Sequence, residues 1–141
     1  MIVDANILLY AVDEGSDFHE PARAWIVGAL NGPARIGLPW PTLTAFLRIS
    51  THPRAARNPL TGREAWEFIA EWLNASAAWI PQPGPRHSEV FRRLTVDGGL
   101  QGNLISDAHL AALALEHGVG ICSADSDFAR FPGLDWVNPL R

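Results

Sequence analysis

Lysine is absent from the 141 residues, and all eleven basic side chains are arginine. That excludes Schiff-base catalysis and the phosphate-cradling lysine of a Walker loop. Cysteine is nearly absent too: with Cys122 alone, no disulfide forms within the chain and no thiolate cluster holds a metal. Set beside Val119 and Ile121, Cys122 reads as a small residue filling a strand. No apolar run approaches the roughly 20 residues that a bilayer span requires, so no membrane contact is expected. The amino terminus has no basic segment, and Asp4 interrupts what would otherwise be an apolar signal core. No signal peptide is therefore expected, and the expected location is cytoplasmic. A net charge of −4 withholds the broad basic footprint of a dedicated DNA-binding protein. It leaves room for RNA contact through local arginine clusters, because guanidinium groups grip phosphate in bidentate fashion.

What is present describes a globular chain, 48% hydrophobic and 18% charged. One domain is expected over residues 1–141, large enough to bury roughly two thirds of its unfolded surface. Ile2 and Val3 open it as a buried strand that runs directly into Asp4-Ala5-Asn6. A short helical turn is expected over Ile7 to Val12, and a helix from about Glu20, with Ala22, Trp25, Ile26, Ala29 and Leu30 at helical spacing. Ile36 to Leu38 predicts a second strand, followed by a helical segment through Leu43, Phe46, Leu47 and Ser50. Thr51 to Leu60 reads as a loop. Thr61 and Glu64 form a capping box for the next helix, whose glutamates Glu64, Glu67 and Glu71 read as a solvated face. Further strands are predicted at 78–80, 120–123 and 135–137, with helices from about Pro85 and over about Leu104 to His117. Strands alternating with helices predict an α/β fold of three layers, α/β/α, around a mainly parallel sheet of four to five strands.

Three places in this pattern set an acid at a strand end or a helix start: Asp4, Asp107, and Asp125 with Asp127. Each has a structural explanation of its own. Asp107 in the first turn of the long helix would suit the helix dipole, and Asp125 or Asp127 would cap a short helix leading to Phe131. A parallel sheet, however, brings all its carboxyl ends to one edge. Two carboxylates about 4 Å apart repel by ~1 kcal/mol in water and ~4 kcal/mol near a protein surface, so four in one pocket call for a cation. Oxygen-only ligation points to Mg²⁺ or Mn²⁺, and such ions activate water and neutralise a phosphodiester.

Three stretches carry a resemblance that extends this reading: Ile2-Val3-Asp4-Ala5-Asn6, the run from Asn103 to Ala114 that contains Ser106-Asp107-Ala108-His109, and the run from Ser123 to Leu134 that begins Ser123-Ala124-Asp125-Ser126-Asp127-Phe128. They closely resemble the motifs of PIN-domain ribonucleases, in particular VapC-type toxins of type II toxin–antitoxin pairs in the actinobacterial style. Similarity also covers Phe46 to Pro53 and Pro83 to His87, and so nearly the whole chain. The resemblance implies a PIN-like domain acting as a magnesium-dependent endoribonuclease, with manganese as a substitute, held in check by a small cognate antitoxin. It implies Asp4, Asp107 and Asp125 as metal ligands and Asp127 as an additional acid. Asn6 and Ser123 would orient carboxylates or bound water. Metal-activated water would attack the scissile phosphate in line, leaving 5′-phosphate and 3′-hydroxyl ends. A homodimer is expected as well.

One departure stands out. The wider family carries a glutamate ligand on the helix after strand two, and here Ala45 occupies that place, with no acid anywhere between Glu20 and Glu64. Thr44 would hold only water. A rival reading follows: a catalytically degenerate PIN-fold module that binds RNA or antitoxin without cleavage. A receiver-like phosphoacceptor, also built on acids at strand ends, is disfavoured by the missing lysine. For RNA contact the candidates are Arg48, Arg54, Arg57, Arg92 and Arg93, since phosphate contacts position a substrate. His52, His87, His109 and His117 read as loop and helix polar residues. Trp40 and Trp66, off the buried stripes, are expected in a dimer or antitoxin interface.

Overall fold

The computed structural model describes all residues, Met1 to Arg141. Five short strands are present: β1 (Ile2–Val3), β2 (Ile36–Gly37), β3 (Ala78–Trp79), β4 (Ile121–Cys122) and β5 (Trp136–Val137). Between them run six helices: α1 (Ala5–Val12), α2 (His19–Leu30), α3 (Trp40–Ser50), α4 (Gly62–Asn74), α5 (His87–Asp97) and α6 (Asn103–His117), with a 3₁₀ turn at Ser126–Arg130. The sheet order is β3-β2-β1-β4-β5, and every pairing is parallel.

Successive strand residues face opposite sides of a sheet, which sorts the core into two layers. Ile2 and Ile121 pack on one side with Val90 and Leu94 of α5 and the alanine-rich face of α6. Val3 and Cys122 pack on the other with Ile7, Ile26, Phe46 and Ile69 of α1 to α4. Helices thus cover both faces, giving the three-layer α/β/α arrangement expected. At the crowded centre of the sheet Gly37 lies opposite Ile2, where an added Cβ would come within 2.9 Å of the isoleucine side chain. Thr61 and Glu64 make both bonds of the capping box that opens α4. Gly118 takes the left-handed conformation, φ 66°, that ends α6.

Most boundaries shift by a residue or two from expectation, and two of the shifts concern acids. α1 is a full helix that begins at Ala5, because the Asp4 carboxylate caps it by accepting from the Ala5 amide. α6 begins at Asn103, so Asp107 falls in its second turn and the first turn holds no acid. The dipole explanation for Asp107 is correspondingly weakened, since that effect fades beyond the first turn. From β1 the chain winds outward to β2 and β3, then crosses back to β4 and β5 on the opposite side. The carboxyl ends of β1 and β4 therefore lie side by side where the winding reverses, the position at which open α/β sheets form their ligand crevice.

Candidate active site

At that reversal Asp4, one residue past β1, is partly buried and fully engaged. Its Oδ1 accepts from the Ala5 amide at 2.8 Å. Its Oδ2 accepts from Ser123 Oγ at 2.7 Å and Asn6 Nδ2 at 3.1 Å. Ser123 is wholly buried at the end of β4, and its hydroxyl also accepts from the Asp125 amide at 3.0 Å. Asn6 completes the lattice by accepting from the Ala124 amide at 3.2 Å. The loops leaving β1 and β4 are thereby locked to each other. Burial holds the Asp4 carboxyl above its ordinary value, opposed by the hydrogen bonds from Ser123 and Ala5 and reinforced by the charge of Asp125.

In front of this lattice Asp107, Asp125 and Asp127 converge, with one carboxylate oxygen from each lying within 4.8 Å of the others. Asp125 earns its orientation as the cap of the 3₁₀ turn, its Oδ1 accepting from the Asp127 amide at 2.9 Å. Asp127 projects from that turn, half-exposed, with Arg130 3.4 Å away. Asp107 reaches in from α6. Burial, then repulsion by Asp125, Asp4 and Asp127, pushes its carboxyl up to about 6, with Arg130 acting in the opposite direction. Oxygens bound to one Ca²⁺ at 2.3 to 2.6 Å can be about 5 Å apart, and those on Mg²⁺ at 2.0 to 2.1 Å about 4 Å. The trio lies close to that range with hard oxygen donors alone, and its mutual repulsion is what a cation would relieve. Asp4 lies outside the trio and acts on it through charge and through the Ser123 and Asn6 bonds. Asp127, expected as an outer acid, is inside it.

The remaining candidates are dispersed. Ala45 sits partly buried on α3, with no acid on that helix. Arg48 is exposed on α3, and Arg54 and Arg57 are exposed on the loop after it, where Arg57 is committed to the Gly15 carbonyl at 3.0 Å. Arg92 and Arg93 are exposed on α5; Arg93 shares with Arg130, the neighbour of Asp127, the wall of a cavity of about 400 Å³. The histidines have local partners. His52 Nδ1 accepts from the Arg54 and Ala55 amides, His87 and His109 lie 3.1 Å apart, and His117 meets the Gln82 carbonyl at 2.8 Å. The Cys122 thiol is buried and pushed up to about 12, first by burial and then by the charge of Asp4, which fits a packing role.

Three supporting residues escaped the sequence reading. Thr42 donates to the Val3 carbonyl at 2.8 Å, fastening the first turn of α3 to the end of β1. Trp136 Nε1 donates to the Ser123 carbonyl at 3.0 Å, bracing the β4 end from β5. Arg130 faces Asp127 one helical turn back, a pairing legible from spacing once the 3₁₀ turn is known. The first two bonds join residues far apart in the chain and leave no local signal.

Comparison with known proteins shows the family and the fold. The family model of the PIN domain matches residues 1–134. Ribonuclease VapC37 of Mycobacterium tuberculosis is 45% identical over 138 residues, covering 98% of this chain and 96% of its own length. Ribonuclease VapC33 of the same species is 41% identical over 141 residues, covering 100% of this chain and 99% of its own. Among solved structures, the VapBC2 complex of Rickettsia felis bound to a DNA fragment from its promoter superposes with a TM-score of 0.67 at 16% identity, over 97% of this chain and 96% of that one. A toxin–antitoxin complex from Klebsiella pneumoniae superposes at 0.63 and 18% identity, over 98% of this chain and 96% of that one. At those identities the two superpositions speak to the fold.

Proposed function

Because this chain belongs to the PIN-domain family, within its VapC branch, we propose that it is the toxin ribonuclease of a toxin–antitoxin pair, cutting RNA phosphodiester bonds with a divalent cation. The observation that carries the reading is the convergence of Asp107, Asp125 and Asp127 within 4.8 Å, in a chain aligned end to end with relatives named as ribonucleases. These three carboxylates would hold the cation, Mg²⁺ or in its place Mn²⁺, with Asp4 as the charge behind them. A cation bound there would lower the pKa of water and neutralise charge on the phosphate. Asp4 is kept rigid by Ser123 and Asn6, so the negative field at the site is preorganised rather than assembled on binding. Arg130, beside Asp127, offers a guanidinium to a phosphate oxygen. Relatives named VapC ribonucleases and superposition on VapBC complexes support a small antitoxin as partner. A homodimer and a cytoplasmic location accompany this proposal; no helix is long and apolar enough to cross a membrane.

The test is cleavage of total RNA with added Mg²⁺ or Mn²⁺, comparing the wild type with Asp107→Asn. Cleavage that depends on the cation and is lost in the variant is expected. Cation-independent cleavage, or undiminished activity in the variant, overturns the mechanism. The missing acid at Ala45 favours a second reading, a module that binds without cutting; intact antitoxin binding with no cleavage of any RNA would select it.

A further inference from the structure

The cavity between the end of α5 and the 3₁₀ turn adjoins the acid cluster, and cleavage by the acids leaves it without a role. Its volume of about 400 Å³ falls in the range of sites for small molecules and cofactors. Arg130 stands in its wall and also lies 3.4 Å from Asp127, so a single guanidinium separates the cavity from the trio. Leu94, Phe131 and Pro132 supply apolar walls.

Three charged groups line the cavity, and they are of both signs: Arg93 and Asp97 of α5, one helical turn apart, and Arg130. The ion pairs of the chain are His19–Glu20, Arg86–Glu89 and Arg130–Asp127, so neither Arg93 nor Asp97 is neutralised by a partner. Asp97 is moreover the last residue of α5, where the negative end of the helix dipole disfavours a carboxylate. An unpaired acid at the wrong end of a helix is a break in local consistency of the kind that functional positions show.

Neighbouring donors and acceptors between apolar walls suit a nucleobase better than a bare phosphate. Guanine presents O6 and N7 as adjacent acceptors, which arginine meets with two parallel N–H bonds. On its next edge it presents N1–H and N2–H as adjacent donors, and a carboxylate accepts from both. Adenine would set its N1 lone pair against the Asp97 carboxylate, while uracil and cytosine would offer that carboxylate a single N–H bond.

We infer that this cavity is a base-reading subsite for a guanine beside the scissile phosphate, with Asp97 accepting from N1–H and N2–H, Arg93 donating to O6 and N7, and Arg130 meeting the phosphate between base and trio. The inference rests on the ribonuclease reading and adds to it a sequence preference at the cut. Asp97 and Arg93 determine specificity and leave the bond-breaking to the acids.

The test is limited digestion of an RNA library of randomised sequence with Mg²⁺ present, followed by sequencing of the cut ends. In the wild type, guanine is expected at one fixed position beside the cut, favoured over adenine roughly tenfold or more. Asp97→Ala is expected to abolish that preference, and Asp97→Asn to move it toward adenine, whose N6 and N7 a side-chain amide pairs. Asp97 is exposed at a helix end, so the alanine variant should melt no lower than the wild type. Cuts without a guanine preference overturn the subsite and leave the ribonuclease reading intact. A preference that survives in both variants also overturns it. Binding is read in parallel by fluorescence anisotropy on Asp107→Asn protein, with two fluorescein-labelled pools of short RNA, one containing all the bases and one lacking guanine. The complete pool is expected to bind more tightly, with the difference removed by Asp97→Ala; equal affinities overturn the subsite. If the difference is present while the wild type cuts no RNA, the ribonuclease reading fails and the guanine subsite stands.

Discussion

Two halves of one sheet edge differ in almost every respect. Beyond β1 and β4 four acids gather, each tied by backbone or side-chain hydrogen bonds or reaching in from α6, and backed by the wholly buried Ser123. Beyond β2 the helix α3 carries no acid, Ala45 stands partly buried on it, and its exposed Trp40 lies against Trp66 of α4. In the first half burial, and then repulsion between like charges, raises the Asp107 carboxyl, an arrangement that a cation would relieve. The second half, with no acid on α3, has no such cluster of like charges.

The comparison breaks most sharply at Asp125. Asparagine in its place retains the oxygen that caps the 3₁₀ turn, since Asn and Asp cap equally well, and removes only the charge. Asp125→Asn is expected to lower RNA cleavage by more than about 100-fold, because even groups that merely orient metal ligands cost 10- to 100-fold. Assayed without added cation, the same protein should melt at a higher temperature near neutral pH than the wild type. Cleavage within a few-fold of wild type would mean that the acid half is structural.

Ser123→Ala comes next. It removes the donor to Asp4 Oδ2 and the acceptor for the Asp125 amide while leaving every acid present. A loss of about 10- to 100-fold in cleavage is expected, with a stability cost of about 1–3 kcal/mol for the orphaned buried partners. Steady-state cleavage and urea melts read the two effects separately. Full activity in a destabilised protein would show that Asp4 needs no orientation.

A third effect follows from the raised Asp107 carboxyl. Its folded value, about 6, exceeds its ordinary 3.8, so the folded chain binds this proton more readily than the unfolded one. The contribution to stability of the cation-free protein is therefore greatest below about pH 4 and is lost as pH rises through about 6. Cation and proton compete for the same oxygens, so half-saturating Mg²⁺ should be about tenfold higher at pH 5 than at pH 7. A flat profile would show that Asp107 does not hold the cation.

Much of this architecture is legible in the chain, for identifiable reasons. Ile2-Val3 before Asp4, Thr61 with Glu64, and Gly118 after the apolar run of α6 are local signals, and each is realised. The gathering of Asp107, Asp125 and Asp127 is also foreseeable, since a parallel sheet sends its carboxyl ends to one edge. What escapes is any bond whose ends are distant in sequence: Trp136 to Ser123, Thr42 to Val3, Trp40 against Trp66. The grouping of Asp127 with Asp107 and Asp125 escapes for a related reason. Motif position records which acids are present, whereas the 3₁₀ turn decides which way Asp127 points.

The smallest expected effect concerns the side-chain bond that ties α3 to the end of β1. Thr42 is buried on α3, and its hydroxyl meets the Val3 carbonyl immediately before Asp4. Thr42→Val keeps the branched shape and removes the donor, so a loss of about 1 kcal/mol is expected, read as a lower urea midpoint at unchanged slope. Cleavage should fall by less than for Ser123→Ala, because the loops of β1 and β4 remain tied through Ser123 and Asn6 without help from α3. A drop in cleavage larger than that of Ser123→Ala would place the control of Asp4 on the α3 side and erase the division between the two halves.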